Sequence, residues 1–322
     1  MLLICTWAVV QSAAWSAGPR HHRAASFQYR PSSPQATVVV AGDNSATKNK
    51  ILQIAALTDR GQRLNTLVAP TYQEYRTTMA ELVDQLSASP YEVSESALEG
   101  EWELIFSDVE LFRSSPFFLA IEEALNGSPG IPTLGRWLGA TEADKKAEVF
   151  FRLHQLQVLS WGASTVGRVA QRLDFEEGTL ESSFDTTIFG LTVIPIVGWF
   201  KLLPTFGGRV VTLANQLTLE EGTLSMELQK TRVVTAPGVP RIPLVDGVFM
   251  DRWYPVSAAW KLLPWNGGPF DGRPPTCSMK VEYVDEQMRI SRDGAGALFV
   301  YTRPLDRLAE DSALRREETI ES

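Results

Sequence analysis

Two amphipathic stretches near the start of the chain predict helices. The first covers residues 50–57. In the second, residues 72–86, apolar side chains recur at three- and four-residue steps, which places them on one helical face: Tyr72, Tyr75, Met79, Leu82, Val83 and Leu86. Pro70 suits the start of this helix, and Pro90 ends it. We expect the helical segment to pack on the outside, or over one mouth, of the domain that follows.

From residue 98 onward the pattern changes to the alternation that is typical of strands. Trp102, Leu104 and Phe106 share one predicted face, and the residues between them take the other. Residues 149–159 and 164–175 are predicted as two further strands, paired around Gly162.

Later segments predict hairpins. Residues 173–180 and 217–224 both contain Glu-Glu-Gly-Thr-Leu, in which the glycine takes the positive φ of a tight turn. A third hairpin turns at residues 285–287, and a last strand covers residues 297–303.

About eight to ten strands with local connections predict a mainly β fold. We expect an antiparallel up-and-down β-barrel with an N-terminal helical segment, because closure removes exposed strand edges. The barrel is expected to be lipocalin-like, because Gly100 stands two residues before Trp102 at the first strand. The predicted organisation is a targeting segment (1–42), the helical segment (43–95), the barrel domain (96–305) and a charged tail (306–322). An aromatic insertion rich in Pro and Gly, residues 235–275, either folds over a barrel mouth or lies on the surface.

The charge distribution bears on the class of partner. Three of the 30 basic side chains and none of the 38 acidic ones lie in the first 42 residues, so the remainder carries a net charge of −11. Such a domain repels phosphate backbones, and nucleic acid is therefore not an expected partner.

The first 42 residues have the composition of a targeting sequence. A short apolar run at residues 2–10 is followed by small residues suited to signal-peptide cleavage, and residues 19–42 are rich in Ser, Ala and Arg. A signal peptide followed by a transit peptide favours import into a plastid bounded by extra membranes. The alternative is secretion with a disordered basic spacer.

Few residues could support metal or nucleophilic chemistry. Beyond residue 42 the sequence has one cysteine, Cys277, and one histidine, His154, which cannot supply the usual zinc ligands. His154 falls in a predicted strand. We favour a structural histidine, with its hydrogen bonds satisfied in the barrel, over a catalytic one. Asp285 and Glu286 are adjacent on a predicted turn, so we expect turn-forming acids, with Asp285 paired to Arg289. We predict no catalytic residue, no metal and no cofactor.

Several ordered motifs resemble the plastid lipid-associated protein family, also called plastid fibrillins. They are Arg60-Gly61, Leu98-x-Gly100-x-Trp102, Arg-Ser-Ser-Pro-Phe-Phe at residues 113–118, Tyr-Val-Asp-Glu-Gln-Met-Arg-Ile-Ser-Arg at residues 283–292, and Leu298-Phe299-Val300. The resemblance covers about residues 48–303. The sequence departs from the family pattern at the glycine turn, residues 293–296, and in the divergent insertion, residues 235–275. The resemblance implies a lipocalin-like barrel at plastoglobules or thylakoids that binds lipids, carotenoids or prenylquinones.

Candidate site residues follow from the predicted barrel. Gly100, Trp102, Asp285, Arg289 and Arg303 are assigned structural roles, with the Arg303 guanidinium stacked on Trp102 at one barrel end. Ligand contacts are predicted for a second set: Phe106, Arg113, Phe117, Phe118, Phe299 and Tyr301. For Phe117 and Phe118 the alternative is that they begin a helix that closes the barrel.

Two tryptophans are predicted to touch a membrane surface. Residues 187–200 are uncharged and include Trp199, and Lys-Leu-Leu-Pro occurs after it and again after Trp260. If both loops stand at one end, Trp199 and Trp260 form a paired membrane-contact rim.

The preferred function is non-enzymatic binding of hydrophobic small molecules or lipids, at a thylakoid or plastoglobule surface. One alternative is a scaffold for a plastid lipid- or quinone-biosynthetic enzyme. Another is an isomerase or hydrolase, which the scarcity of His and Cys disfavours.

Overall fold

The computed structural model describes residues 44–65, 69–88, 91–125, 132–138, 140, 142, 144–160, 165–188, 206–235, 251–256, 260 and 275–304. The predicted targeting segment (1–42) and charged tail (306–322) lie outside the described residues. So do Trp199 and both Lys-Leu-Leu-Pro repeats.

The described residues form six α-helices. Helices α1 (Ser45–Leu57) and α2 (Ala69–Ser87) confirm the two predicted N-terminal helices. The others are α3 (Glu95–Leu98), α4 (Pro116–Leu125), α5 (Pro132–Leu138) and α6 (Lys146–Ser160), with 3₁₀ turns at Gln62–Asn65 and Leu111–Ser114.

Nine described strands make one antiparallel sheet. They are β1 (Gly100–Ser107), β2 (Thr165–Asp174), β3 (Thr179–Ile188), β4 (Phe206–Glu220), β5 (Thr223–Thr235), β6 (Tyr254–Pro255), β7 (Thr276–Val284), β8 (Met288–Arg292) and β9 (Leu298–Thr302). Apart from the short β6, which adds to β5, each strand pairs with its neighbour in the chain, and β1 pairs with β9. Eight strands thus close into a ring. The predicted mainly antiparallel β fold is confirmed.

The hairpin predictions are also confirmed. Gly178 lies in the β2–β3 turn at φ +63° and Gly222 in the β4–β5 turn at φ +74°. The turn between β7 and β8 is formed by Asp285, whose carboxylate accepts hydrogen bonds from the N–H groups of Gln287 and Met288 at 2.9 Å each.

The predicted strand at residues 149–159 is wrong, because this segment is helix α6. Ala147, Phe150 and Phe151 recur at three- and four-residue steps and pack into the inner core. The abundance of Val and Phe favours a strand locally, but packing of this helical face overrides that preference.

The closed ring has two differently packed faces. The inner face carries Trp102, Leu173, Met226 and Phe299, and helix α4 packs against it. The outer face of β7, β8 and β9 is covered by helices α1 and α2. The helical segment therefore lies on the outside of the ring, one of the two placements that the sequence allowed.

A bulge in β1 corrects the prediction for Phe106. Leu104 is opposite Tyr301, whereas Phe106 is opposite Val300, so β1 advances two residues while β9 advances one. Phe106 therefore turns to the outer face and packs with the core of α1 and α2. It cannot touch a ligand inside the ring.

The Arg60-Gly61 pair fastens the helical segment to the ring. Gly61 has φ +87°, and a Cβ there would lie 1.9 Å from the carbonyl oxygen of Ser107. Arg60 donates to the carbonyl oxygens of Val166 and Gly167 at 2.8 and 2.6 Å. Glycine is required because β1 approaches so closely.

Candidate functional site

Trp102 and Arg303 close one end of the ring, as predicted. The Arg303 guanidinium lies 3.7 Å from the centre of the Trp102 ring and donates to the carbonyl oxygens of Ala97, Glu99 and Glu101. Trp102 is fully buried, and its indole N–H donates to the Leu98 carbonyl at 2.8 Å. Gly100 has φ +96°, and a Cβ there would lie 3.1 Å from Arg303 Nη1.

Arg289 lies inside the ring, above this closed end. It sits opposite Tyr301 in the β8–β9 pair, and the two side chains share the inner face. Its guanidinium lies 4.0 Å from the Tyr301 ring centre and 5.4 Å from that of Trp102. Nη2 donates to the Gln171 side-chain oxygen. Two aromatic rings and one amide thus surround a side chain that is 1% exposed.

The predicted Asp285–Arg289 ion pair is wrong. Asp285 accepts a hydrogen bond from the Tyr283 hydroxyl and is ion-paired with Lys48 of α1. These contacts hold Asp285 at the turn, whereas Arg289 points into the ring. Hydrogen bonds from Lys48 and Tyr283 offset the effect of burial and lower the pKa of Asp285.

Arg289 has no carboxylate partner among the residues that the structure describes. Within the same part of the chain, its Nε and Nη1 atoms have no well-formed hydrogen bond. Burial lowers the pKa of Arg289 to about 10, so the side chain stays charged at neutral pH. A buried cation without an anion lowers the stability of the fold, and Arg289 also keeps N–H donors on Nε and Nη1 that the described residues leave unused.

The surroundings of Arg289 are mostly apolar. Phe299 and Tyr301, both predicted to touch a ligand, are fully buried on the inner face. Around them lie further buried side chains of the same core: Leu104, Leu173, Leu180, Met226, Leu228, Met279 and Val281. The site therefore combines an extended apolar surface with one cationic group.

Arg113 lies in a different environment, at the other end of β1. Its guanidinium lies 2.7 Å from Glu122 of α4, 3.1 Å from Glu148 of α6 and 3.9 Å from Glu110. It also stacks on Phe151 at 4.1 Å. Acidic side chains of the fold already engage Arg113, so its donors are not directed to a ligand in the ring. The cluster instead fastens two helices to the chain that leaves β1.

A second carboxylate pair extends this cluster. Burial is the main cause that raises the pKa of Glu122, to about 8, and a hydrogen bond with Asp293 raises it further. Asp293 Oδ1 accepts from the N–H groups of Ala295 and Ala297, which shapes the β8–β9 turn. Glu122 therefore keeps its proton at neutral pH and donates it to Asp293. Helix α4 is thereby tied to this turn as well.

Phe117 and Phe118 begin helix α4, the alternative foreseen from the sequence. Phe118 is 8% exposed and packs on Phe112 at 4.7 Å, and Phe117 is half-buried against the inner core. His154 of α6 lies 4.9 Å from the Phe112 ring, and burial lowers its pKa to about 4. His154 is therefore a neutral packing residue on a helix, not in a strand.

The membrane-contact prediction is wrong for Trp260, which is 4% exposed and packs in the inner core. Sequence reasoning missed an exposed aromatic residue, Trp253, which lies just before β6 at 37% exposure. The cations of Lys230 and Arg232 stand 4.8 and 4.5 Å from its ring centre. Trp137 of α5 is 81% exposed.

The sequence analysis also missed Gln171, which orients Arg289 and donates to the Ser114 carbonyl at 3.1 Å. A usable signal was present, since Gln171 is a polar residue between Val169 and Leu173 on one face of β2. Glu122 and Glu148 gave no such signal.

No protein-family model, curated protein or solved structure matches this chain. None of the described helices is long and apolar enough to cross a membrane. The described residues also contain no group of three His, Cys, Asp or Glu side chains placed to hold a metal ion. The function of this protein is therefore inferred from its own residues.

Proposed function

We propose that this protein is a plastid lipid-binding protein with a lipocalin-like barrel, which holds a hydrophobic small molecule inside its ring. The observation that carries this proposal is the combination of an apolar inner face with a buried cation, Arg289, that no described carboxylate pairs. The ordered motifs that resemble the plastid lipid-associated proteins support it. They also favour a location at thylakoid or plastoglobule surfaces.

The two ends of the ring have different roles in this proposal. The Trp102–Arg303 end is closed by a stack and three carbonyl hydrogen bonds, so it is a fixed floor. The other end is covered by helix α4, which is held by Arg113 and Asp293. In this proposal a ligand enters past α4, whose displacement breaks the Arg113 cluster, the hydrogen bonds from Ser278 to Glu123 and the packing of the helix on the inner core.

Binding would be driven by burial of an acyl or isoprenoid chain. Removal of apolar surface from water contributes about 25 cal/mol per Å² before the costs of association. Met226 and Met279 are flexible side chains of the inner core that can adjust to different chains. Trp253, between Lys230 and Arg232, would provide contact with an anionic membrane surface.

Lipid extraction and mass spectrometry test this proposal. The full chain is incubated with total plastid lipids, re-purified and extracted, and we expect about one selected lipid for each protein. Two adjacent serines of β3 give a matched pair of variants, because Ser182 shares the inner face with Leu180, whereas Ser183 takes the outer one.

Ser182→Phe fills the interior and should abolish retention, while Ser183→Phe should retain lipid as the unaltered chain does. Unfolding midpoints of both variants show whether each remains folded. A re-purified protein without stoichiometric lipid would contradict the proposal, and so would equal retention by a folded Ser182→Phe variant.

A further inference from the structure

The donors left on Arg289 indicate which kind of head group the interior site takes. The guanidinium has five N–H donors, and the described contacts of good geometry use Nη2 alone, toward Gln171. The Tyr301 hydroxyl is buried next to both Arg289 and Gln171 and also lacks a well-formed hydrogen bond among the described residues. Arg289 and Tyr301 thus present unused polar atoms at one point of an apolar interior.

The charge of the site selects among amphiphiles. Arg289 is the fully buried cation at this point, whereas Arg303, 3.7 Å from the Trp102 ring centre, is partly exposed to solvent. The described inner residues near Arg289, Trp102, Leu104 and Phe299, carry no compensating anion. A neutral head group would leave the buried charge uncompensated. A phosphate with nearly two negative charges would leave an excess anion, and the charge of Asp293, which acts on Tyr301, would repel it. A single negative charge balances Arg289.

The geometry favours a planar anion. A guanidinium binds a carboxylate through two parallel N–H···O bonds, and such charge-assisted bonds are the strong ones. The rings of Tyr301 and Trp102 lie along the guanidinium at 4.0 and 5.4 Å, which restricts its orientation. Gln171 fixes Nη2.

We infer that the ring interior binds a long-chain monocarboxylic acid, with its carboxylate on Arg289 and its chain against the inner apolar core. This inference rests on the proposed function, since it names the ligand class of that same site. It further assigns Tyr301 as a second donor to the carboxylate. Phe299 and the methionines of the inner core surround the chain.

A comparison of acid with ester tests the inference. Oleic acid and methyl oleate have the same chain, but only the acid has a charged head. Binding of each to the full chain is measured by displacement of a fluorescent fatty acid, and we expect oleate to bind at least tenfold more tightly than methyl oleate. Arg289→Gln should bind both ligands equally, at the affinity of the ester.

The matched control is Arg292→Gln, on the same strand. Arg292 faces outward, is paired with Glu282 at 2.9 Å, and should keep the preference for the acid when it is replaced. Arg289→Lys, which keeps a charge but not the planar fork, should keep part of the preference. Unfolding midpoints confirm that each variant is folded.

The outcomes separate the two proposals. If the unaltered chain binds oleate and methyl oleate equally, the carboxylate inference is wrong and the lipid-binding proposal stands. If lysophosphatidate binds more tightly than oleate, the head group is a phosphate and the inference is again overturned. If neither the acid nor the ester binds, the carboxylate inference is wrong, and extraction after incubation with total plastid lipids decides the lipid-binding proposal separately.

Discussion

Arg113 and Arg289 are two buried arginines with opposite surroundings. Both are stacked on an aromatic ring, Arg113 on Phe151 at 4.1 Å and Arg289 on Tyr301 at 4.0 Å. They are 4% and 1% exposed, respectively. Arg113 is within 4 Å of three acidic side chains, those of Glu110, Glu122 and Glu148, whereas Arg289 has none among the described residues.

The difference separates a charge that the fold compensates from one that it does not. Arg113 joins α4, α6 and the chain after β1, so its charge is balanced by the fold itself. Arg289 occupies a position where an apolar side chain would fit the core better. Under the proposed function, this uncompensated buried charge lowers stability and is offset by the ligand.

The largest expected effect is on Arg113. Arg113→Met leaves Glu148 and Glu110 without their cation, so the free energy of unfolding should fall by about 3–5 kcal/mol, as for other broken buried pairs. Denaturant titration measures the loss. Arg168→Met is a control, since Arg168 pairs with the more exposed Glu101 and Glu103 and should cost no more than about 1 kcal/mol. A loss for Arg113→Met as small as this control contradicts a structural role.

The pH dependence of stability sharpens the account of the Arg113 cluster. The pKa of Glu122 is raised in the folded state to about 8, so the folded protein holds a proton that the unfolded chain releases. The stability from Glu122 is complete below its unfolded pKa and is lost as the pH rises toward 8. We expect a fall of about 1 kcal/mol per pH unit between pH 6.5 and 8.

Glu122→Gln should abolish that fall, because the amide does not ionise. His154 has the opposite pH dependence. Its pKa is lowered in the folded state, so the stability it contributes is lost as the pH falls below about 6.5, which is outside the range used for Glu122. Parallel titration curves for the variant and the unaltered chain would show that Glu122 is ionised in the folded protein.

Arg289→Met should change the free energy of unfolding in the opposite direction to Arg113→Met. Replacing an uncompensated buried charge by an apolar side chain of similar length should raise the free energy of unfolding, by about 1–2 kcal/mol. The gain is limited because the variant loses the hydrogen bond with Gln171 and the contact with Tyr301. A loss of the size expected for Arg113→Met would make Arg289 a structural residue too.

The smallest effect is expected at Arg303, the half-exposed arginine at the closed end. Arg303→Met removes a cation–π contact at 3.7 Å from Trp102 and three hydrogen bonds to carbonyl oxygens. Because this end is partly exposed and water can replace those hydrogen bonds, we expect a loss of about 1 kcal/mol in unfolding free energy. Arg303→Lys should recover part of it. If Arg303→Met costs more than Arg113→Met, the ordering of the three arginines is wrong.

Local patterns predicted much of the fold. Alternation along β1, the echoed Glu-Glu-Gly-Thr-Leu hairpins and the turn at Asp285 each depend on neighbouring residues, and the structure has them. The bulge that turns Phe106 outward depends on the register with β9, which is almost 200 residues away. Helix α6 depends on the aromatic core that it meets. Neither the bulge nor helix α6 can be predicted from the sequence of a single segment.

The same distinction explains the site. The Trp102–Arg303 stack was predicted because the first and last strands of a closed sheet must pair. The partner of Arg289 was predicted wrongly because Asp285 is near in sequence, whereas Lys48 arrives from a helix more than 200 residues earlier. The isolation of Arg289 became visible only when all of its neighbours were known.

One measurement tests the contrast between the two arginines most directly: the unfolding midpoints of the unaltered chain and Arg289→Met, each with and without oleate. We predict that Arg289→Met is at least as stable as the unaltered chain without ligand. With oleate the order should reverse, because the ligand stabilises the folded state in proportion to its affinity, and the variant keeps only the weaker affinity of the ester. An Arg289→Met variant that is much less stable without oleate, beside an unaltered chain that oleate does not stabilise, would contradict the account.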